Sequence, residues 1–381
     1  MQQQELFTPS NEPLISLEDV FKAYYECRKN KRRTINALKF EMNLEENLVL
    51  LWRELNDGTY KIGRSIAFVV KKPVLREVFA ADFRDRIVHH LIIQRLGGLL
   101  DAAISRNSYS CRKGMGTLYG VKTVYRHLKE CSKGFKSDCF VLRLDIRAFF
   151  MHIRHDILYK MLAELIHDFY HRADKKIILS LVRQVVYHQS QKHCIIKGKK
   201  SDWDKMPKSK SLFRVSEKKG LPIGNLTSQI FANFYLRDFD NFITASGVYY
   251  GRYVDDMVLM HAKKDILLRV KRKISLFLAD HFHLQLHPAK SILQHCTKGF
   301  AFTGAFILPW RLYAGRRLRH AFWEVVKKIP HLKNVLNVLN SYFGFLRHYR
   351  TLRLRLKGWN LINMWIDKVY LNNQAVCIFC L

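Results

Sequence analysis

Val248-Tyr249-Tyr250-Gly251-Arg252-Tyr253-Val254-Asp255-Asp256-Met257-Val258-Leu259-Met260 is the stretch that decides the fold. Its flanks are rich in aromatic and β-branched residues, so they read as two short strands. Asp255-Asp256 at their junction reads as a hairpin tip. Side chains alternate along a strand, so both carboxylates face one point only where a turn breaks the alternation. A lone Asp-Asp pair would equally suit a solvated turn. The third carboxylate is Asp145, which ends the apolar run Cys139-Phe140-Val141-Leu142-Arg143-Leu144 and precedes Ile146, Phe149 and Phe150. An Asp at the end of a buried strand is costly unless it meets a cation. Asp145 and Asp255 stand 110 positions apart, so only the fold brings them together.

Three carboxylates of this kind suit nucleotidyl transfer assisted by two metal ions. Two Mg²⁺ ions about 3.5–4 Å apart clamp the attacking and leaving oxygens of an in-line displacement. Mg²⁺ takes carboxylate oxygens, substrate phosphates and water, and Mn²⁺ is the natural substitute. On this reading Asp145 and Asp255 bridge the ions, Asp256 supports them, and the backbone carbonyl of Ile146 adds a ligand.

The 381 residues allow two or three subdomains. A hydrophobic content of 48% excludes wholesale disorder. Lys and Arg outnumber Asp and Glu by 65 to 32, a net charge of +33 spread along the chain, which calls for a polyanion partner. Seventeen Tyr and twenty-five Phe interleave with these cations, suiting base stacking as well as core packing. No basic amphipathic segment stands apart and no apolar run reaches membrane-spanning length, so no membrane role is expected. Met1-Gln2-Gln3-Gln4-Glu5 is polar, unlike a secretory leader. Eight scattered Cys fit a reducing cytoplasm, and the lone Cys377-Ile378-Phe379-Cys380 pair reads as a chain end rather than a zinc site.

In chain order, residues 14–57 read as helical, with a Ser16/Asp19 cap and a second amphipathic helix over 40–55. Tyr60–Val70 reads as strand. The basic hairpin around Arg76 suits a triphosphate by charge and fork geometry, or is a plain surface hairpin. Asp82 caps a helix through His89 and His90, two residues that suit helix packing better than metal ligation. Arg112-Lys113-Gly114 forms a basic loop suited to a phosphate backbone or to no ligand at all. Residues 118–131 form a helix and 139–144 the strand that carries Asp145. Phe150, five positions on, would sit beneath the sugar of an incoming nucleotide and clash with a 2′-hydroxyl, or pack beside Phe149 in the core.

Residues 156–190 read as helical, and Lys192–Lys219 as a mobile basic loop. Gly220-Leu221-Pro222-Ile223-Gly224 makes a turn that lets backbone approach a ligand, with Thr227 or Ser228 opening the helix behind it. That leaves Gly224–Gln229 facing substrate. Lys290 suits a general acid toward the pyrophosphate leaving group, or a solvated face. The hairpin strand with Phe300 suits a grip on a primer end, as Tyr253 does beside the carboxylates. Arg347, in the aromatic and basic run 341–349, suits a duplex-tracking surface.

The ordered series Arg76, Asp145 with Phe150, Gly-x-Pro-x-Gly, Tyr253-x-Asp255-Asp256, Lys290 and Gly-Phe300-x-Phe resembles the motif series of reverse transcriptases over about residues 60–310. Most of that family carries Gln-Gly-x-x-x-Ser-Pro in the turn-helix motif. Here Ile223-Gly224-Asn225-Leu226-Thr227-Ser228-Gln229 stands instead. This variant resembles the enzymes of diversity-generating retroelements, as do Phe83-Arg84-Asp85-Arg86-x-x-His89-His90, Arg112-Lys113-Gly114 and Asn340-Ser341-Tyr342-x-Gly344.

The resemblance implies an α+β right-hand polymerase fold with fingers, a palm of antiparallel sheet backed by helices, and a helical thumb. It implies RNA-templated synthesis of cDNA from dNTPs on a primer strand, with errors opposite template adenines. It further implies a small basic accessory protein, a structured template RNA, and a bacterial or phage-encoded cytoplasmic enzyme. The expected boundaries are N-terminal helices and fingers over 1–138, the first palm strand over 139–155, and a helical and basic-loop insertion over 156–219. The main palm follows over 220–312 and a basic thumb over 313–381. No ribonuclease H, protease or endonuclease segment is recognisable. Other bacterial reverse transcriptases, of intron, retron or phage-defence type, and an inactive RNA-binding relative are the alternative readings.

Overall fold

The computed structural model describes residues 13–29, 33–71, 74–328 and 335–369. Met1–Glu5 and the Cys377/Cys380 pair lie outside the described residues. The chain opens with α1 (Leu17–Arg28), α2 (Ile35–Glu41), α3 (Leu44–Asn56), β1 (Ser65–Val70), β2 (Arg76–Ala80) and α4 (Phe83–Ala103). There follow α5 (Thr117–Cys131), β3 (Phe140–Asp145), α6 (Phe149–His152), α7 (His155–Phe169), α8 (Lys175–Tyr187) and β4 (Cys194–Ile196). Next come α9 (Leu226–Tyr235), α10 (Arg237–Thr244), β5 (Tyr249–Tyr253), β6 (Asp256–His261), α11 (Lys264–Phe282) and β7 (Ile292–His295). The strands β8 (Phe300–Phe302), β9 (Ala305–Leu308) and β10 (Arg311–Ala314) and the helices α12 (Arg316–Lys327), α13 (Val335–Leu346) and α14 (Leu352–Val369) complete the described chain.

The chain weaves between two compact units. The first comprises residues 1–105, 147–240 and 277–285. Its sheet runs β2-β1-β4, with β1 antiparallel to β2 and parallel to β4. Ser16 and Asp19 form the expected capping box on α1. Arg95 of α4, almost wholly buried, pairs with Asp19 at 2.6 Å and Asp174 at 2.8 Å and so ties α1 and the start of α8 to α4. The helix expected over 40–55 is broken at Met42-Asn43, because Asn43 leaves the helical region (φ −127°, ψ 57°). The strand expected from Tyr60 begins only at Ser65, since Tyr60 and Gly63 are held by buried Asp85 of α4 instead of by a sheet partner.

The stretch 192–219 differs most from its reading as a mobile loop. It carries β4 and three short 3₁₀ turns, at 200–202, 208–210 and 212–214. Its anchor is Glu77 of β2, which is buried. The Glu77 carboxylate accepts from Trp203 Nε1 (2.6 Å), Ser211 Oγ (2.7 Å) and the backbone N–H of Leu212 (2.6 Å). Burial pushes this carboxyl up, and the three donors pull the other way. The sequence hides the device because a single Glu in a strand pattern gives no hint of partners more than 120 positions away.

The second unit comprises residues 106–146, 241–276 and 286–381. Its four-stranded sheet is ordered β5-β6-β3-β7, all antiparallel. The apolar face meets α5 and the β8-β9-β10 sheet in one core that includes Val124, Leu128, Val141, Val258, Met260, Phe300 and Ile307. Gly251 lets α5 approach β5: a Cβ there would stand 2.8 Å from Val124 Cγ2 and 2.9 Å from the Tyr109 hydroxyl. A separate apolar cluster built around Phe322, Leu339, Phe343, Leu346 and Ile362 holds α12, α13 and α14 together. Among the described residues no helix is long and apolar enough to cross a membrane.

Two stability tests follow. Glu77→Ala leaves three donors without their acceptor at about 1–3 kcal/mol each, so a net loss of about 3–5 kcal/mol is expected after partial rehydration. Denaturant titration, with limited proteolysis between 197 and 214, measures it. The second test concerns pH. Burial, with a smaller push from His193, lowers His188 to about 4, and burial also lowers His155. The unfolded chain protonates such groups near ~6.5 while the folded one holds them neutral. Stability is therefore full above pH ~6.5 and falls as pH drops toward ~4, and His188→Gln should remove on the order of 3 kcal/mol of that fall.

Candidate active site

The carboxylates are placed by strand register. Along β3, Val141 on one face and Leu142 and Leu144 on the other are all buried, so the strand lies inside the unit and only its end reaches the acidic cluster. Across β3 and β6, Asp145 pairs with Asp256; across β5 and β6, Tyr253 pairs with Asp256. Asp256 is therefore the first residue of β6, and the hairpin tip is Val254-Asp255, one residue earlier than the sequence suggested. Val254 takes a left-handed backbone (φ +59°), an uncommon state for a β-branched residue. That conformation breaks the alternation, so Asp255 and Asp256 need not point to opposite faces. The Ile146 N–H donates to the Asp255 carbonyl (3.2 Å), tying the turn to the residue after Asp145.

Cations complete the cluster. The backbone N–H of His287 donates to the Asp145 carbonyl at 2.7 Å, and a 3₁₀ turn over Pro288–Lys290 follows. Lys290 Nζ reaches Asp145 Oδ2 at 2.7 Å. Arg143 Nη2 lies 3.9 Å from Asp256 Oδ1. Burial pushes the Asp256 carboxyl up to about 6; Asp255 and Asp145 add to the rise, while Arg143 and Lys290 oppose it. Arg252, fully buried in β5, donates from Nη1 to the Val254 carbonyl at 2.9 Å. Neither arginine was singled out from the sequence, although a charged residue inside an apolar strand is the signal that could have found both.

Among the described residues no three His, Cys, Asp or Glu side chains by themselves enclose a metal ion. The donor set nevertheless fits divalent cations that also draw on phosphate and water oxygens. Its groups are hard carboxylate oxygens, and burial together with the acidic neighbours raises one of them, Asp256.

In the first unit the turn and the residues expected near a nucleotide come together. Phe79 N–H of β2 donates to the Ile223 carbonyl (2.9 Å), and Ala81 N–H donates to Asn225 Oδ1 (3.0 Å). Gly224 has φ +127°, and a Cβ there would lie 2.7 Å from Val78 Cγ1. Phe150 and Ile223, both half-buried, pack on one cluster with Ala67, Phe79, Met151 and Leu212. The Leu221 N–H donates to the Phe150 carbonyl (2.8 Å). Arg76, at the start of β2, is exposed, as are Gly224 and Gln229. Asn225 stands at the N-cap of α9, whereas Thr227 and Ser228 lie buried in its first turn, Thr227 bonded to His89 Nδ1 at 2.6 Å.

The residues expected to grip primer and template divide. Lys113 and Arg347 are exposed, and Gly114 has open space around it. Arg112 is half-buried with Nη1 on the Ser108 carbonyl, and Tyr253 packs half-buried on the core of the second unit. Phe300 is a correction. It is 2% exposed, pairs with Ile307 and belongs to that core, so its ring is not available to a primer. The alternation was read correctly, but the face was the wrong one.

Carboxylates at the joined ends of antiparallel strands suit nucleotidyl transfer assisted by metal ions. The chain belongs to the reverse transcriptase (RNA-dependent DNA polymerase) family, whose pattern matches residues 70–307. It is 22% identical over 335 residues to protein YkfC of Escherichia coli K12, covering 78% of this chain and 79% of that one. Apo telomerase of Candida tropicalis superposes with a TM-score of 0.52 at 13% identity over 74% of this chain and 52% of its own. Telomerase of Candida albicans, solved in complex with a TWJ fragment of telomeric RNA, gives 0.52 at 13% over 82% and 58%. This chain thus spans a little over half the length of those telomerases. The likeness is one of fold, and the fold is that of right-hand polymerases.

Gly224→Ala tests the turn. The added methyl meets Val78 and a backbone carbonyl in a conformation that already disfavours side chains, at a cost of about 1–3 kcal/mol. Nucleotide incorporation is expected to fall at least tenfold while the denaturation midpoint shifts modestly; an unchanged rate would contradict a close fit at this turn.

Proposed function

We propose that this chain is the RNA-directed DNA polymerase of a diversity-generating retroelement, copying a template RNA into cDNA with errors concentrated at template adenines. The observation that carries the reading is Ile223. It occupies the turn position where most reverse transcriptases carry Gln, and its side chain packs with Phe150 on the apolar cluster of β1 and β2. A site that hydrogen-bonds its substrate rejects wrong partners far better than an apolar one of the same size. Replacing an amide by Ile at this turn removes that means of discrimination, and Arg76, exposed at the start of β2, stacks on the incoming base and modulates it.

Asp145, Asp255 and Asp256, with the Ile146 carbonyl, would hold two Mg²⁺ ions, or Mn²⁺, which when bound supply Lewis-acid stabilisation of the transferring phosphoryl oxygens. The chain's own groups do the rest. Lys290, which rests on Asp145, would hold and then deliver a proton to the departing pyrophosphate. Arg143 limits the repulsion around Asp256. Phe150 excludes a 2′-hydroxyl, and Gly224 and Gln229 face the nucleotide. Arg112, Lys113, Gly114, Tyr253 and Arg347 serve primer and template. A small basic accessory protein and the native template RNA complete the system.

Primer extension on a defined RNA template, with Mg²⁺, four dNTPs and product sequencing, tests this. Asp255→Asn should reduce synthesis to background with the fold retained. Ile223→Gln should keep synthesis and lower misincorporation opposite adenine by about 10-fold or more, the scale of an added polar contact. Faithful synthesis by the unaltered chain, with accessory protein and native template present, would move the assignment to another bacterial reverse transcriptase. No synthesis with RNA still bound would make it an inactive relative.

A further inference from the structure

The second unit carries an aromatic and cationic patch that the reaction at the carboxylates does not use. Leu308 and Arg311 are strand partners, so the β9–β10 turn consists of Pro309 and Trp310 alone. Trp310 has φ +65°. In a turn with Pro first, the second place is ordinarily filled by Gly or Asn, because a left-handed backbone is required there. A Trp stands in it, and the side chain is 65% exposed.

The residue it touches is equally unusual. Phe135 packs against Trp310 with ring centroids 4.7 Å apart, and Lys133, Gly134 and Phe135 are three successive left-handed residues (φ +48°, +74° and +68°). Backbone held in sparsely populated conformations tends to gather at ligand-binding places. Lys133 and Lys136 flank Phe135, Arg311 follows Trp310, and all three are exposed. The acid of this loop, Asp138, sits beside His295 Nε2 at 3.3 Å. The patch adjoins the start of β3, whereas Asp145 ends that strand five steps on, a separation of about 17 Å.

We propose that Trp310, with Phe135, Lys133, Lys136 and Arg311, forms a second nucleic-acid contact that stacks a base of single-stranded RNA and neutralises its phosphates. An exposed indole beside exposed cations is the chemistry of sequence-tolerant strand binding. A single strand is favoured over a duplex because the indole can stack only on a base released from its pair. The proposal requires only that the enzyme handles RNA, and it stands apart from the reading of errors at adenine.

The test uses the full chain and a fluorescent oligouridylate, followed by anisotropy with the catalytic cleft saturated by an unlabelled, tailless primer–template. The unaltered protein should still bind the labelled strand. Trp310→Ala should weaken that binding roughly 5- to 100-fold, the loss of one stacked base, and Trp310→Tyr should retain most of it. Lys133→Glu with Lys136→Glu should weaken it further and flatten its salt dependence. All variants should extend the tailless primer at the normal rate and unfold at the normal denaturant concentration. Equal affinity of Trp310→Ala and the unaltered chain would overturn the proposal. So would full displacement of the labelled strand by the tailless duplex. Displacement by polyglutamate with no preference for RNA would assign the patch to an acidic protein instead.

Discussion

The pairing of Asp145 with Asp256 across β3 and β6 is the constraint on which the rest depends. Register in a sheet is all or nothing: a slip of one residue would send every side chain to the opposite face. Here it is pinned by apolar partners, Val141 with Met260, Leu142 with Leu259 and Leu144 with Met257, all buried. That pairing sets Asp145 and Asp256 opposite one another at the strand ends. Burial, with a smaller push from Asp255 and Asp145, raises the Asp256 carboxyl, and Arg143 and Lys290 oppose that rise.

In each unit, irregular backbones are held by single polar side chains. Arg252 grips the carbonyl of left-handed Val254, Asn225 receives Ala81 beside β2, and Glu77 gathers the ends of a basic segment. Each is a buried polar group with its partners in place, the condition under which such groups stabilise a structure instead of costing it. Their common effect is to tie loops in the acidic and glycine-turn regions to the strands that carry them. Function in this family needs a nucleotide positioned to a fraction of an ångström, and loops without anchors would not deliver that.

Much of this was legible from the residues. Aromatic and β-branched runs revealed β5 and β6, the apolar run before Asp145 revealed β3, helical spacing revealed α1, and the ordered motifs carried the family. What stayed hidden depends on partners distant in sequence. Phe300 was read as a primer grip because alternation gives two faces without saying which is buried; packing against α5 and β9 decides it. Lys192–Lys219 looked unstructured because its polarity is real, yet its order comes from one Glu in another strand. Thr227 and Ser228 have the chemistry of helix caps, but Asn225, held by Ala81, takes that place and leaves them inside. Trp310 drew no notice because a positive φ cannot be seen in a letter.

The most direct check on the carboxylate arrangement is a count of bound Mn²⁺ by electron paramagnetic resonance, with primer–template and a non-reactive dNTP analogue present. Two ions per chain are expected for the unaltered protein, and fewer for Asp145→Asn at the same concentrations. No bound ion, or an identical count in the two proteins, would contradict the claim that the register of β3 and β6 builds a two-ion site.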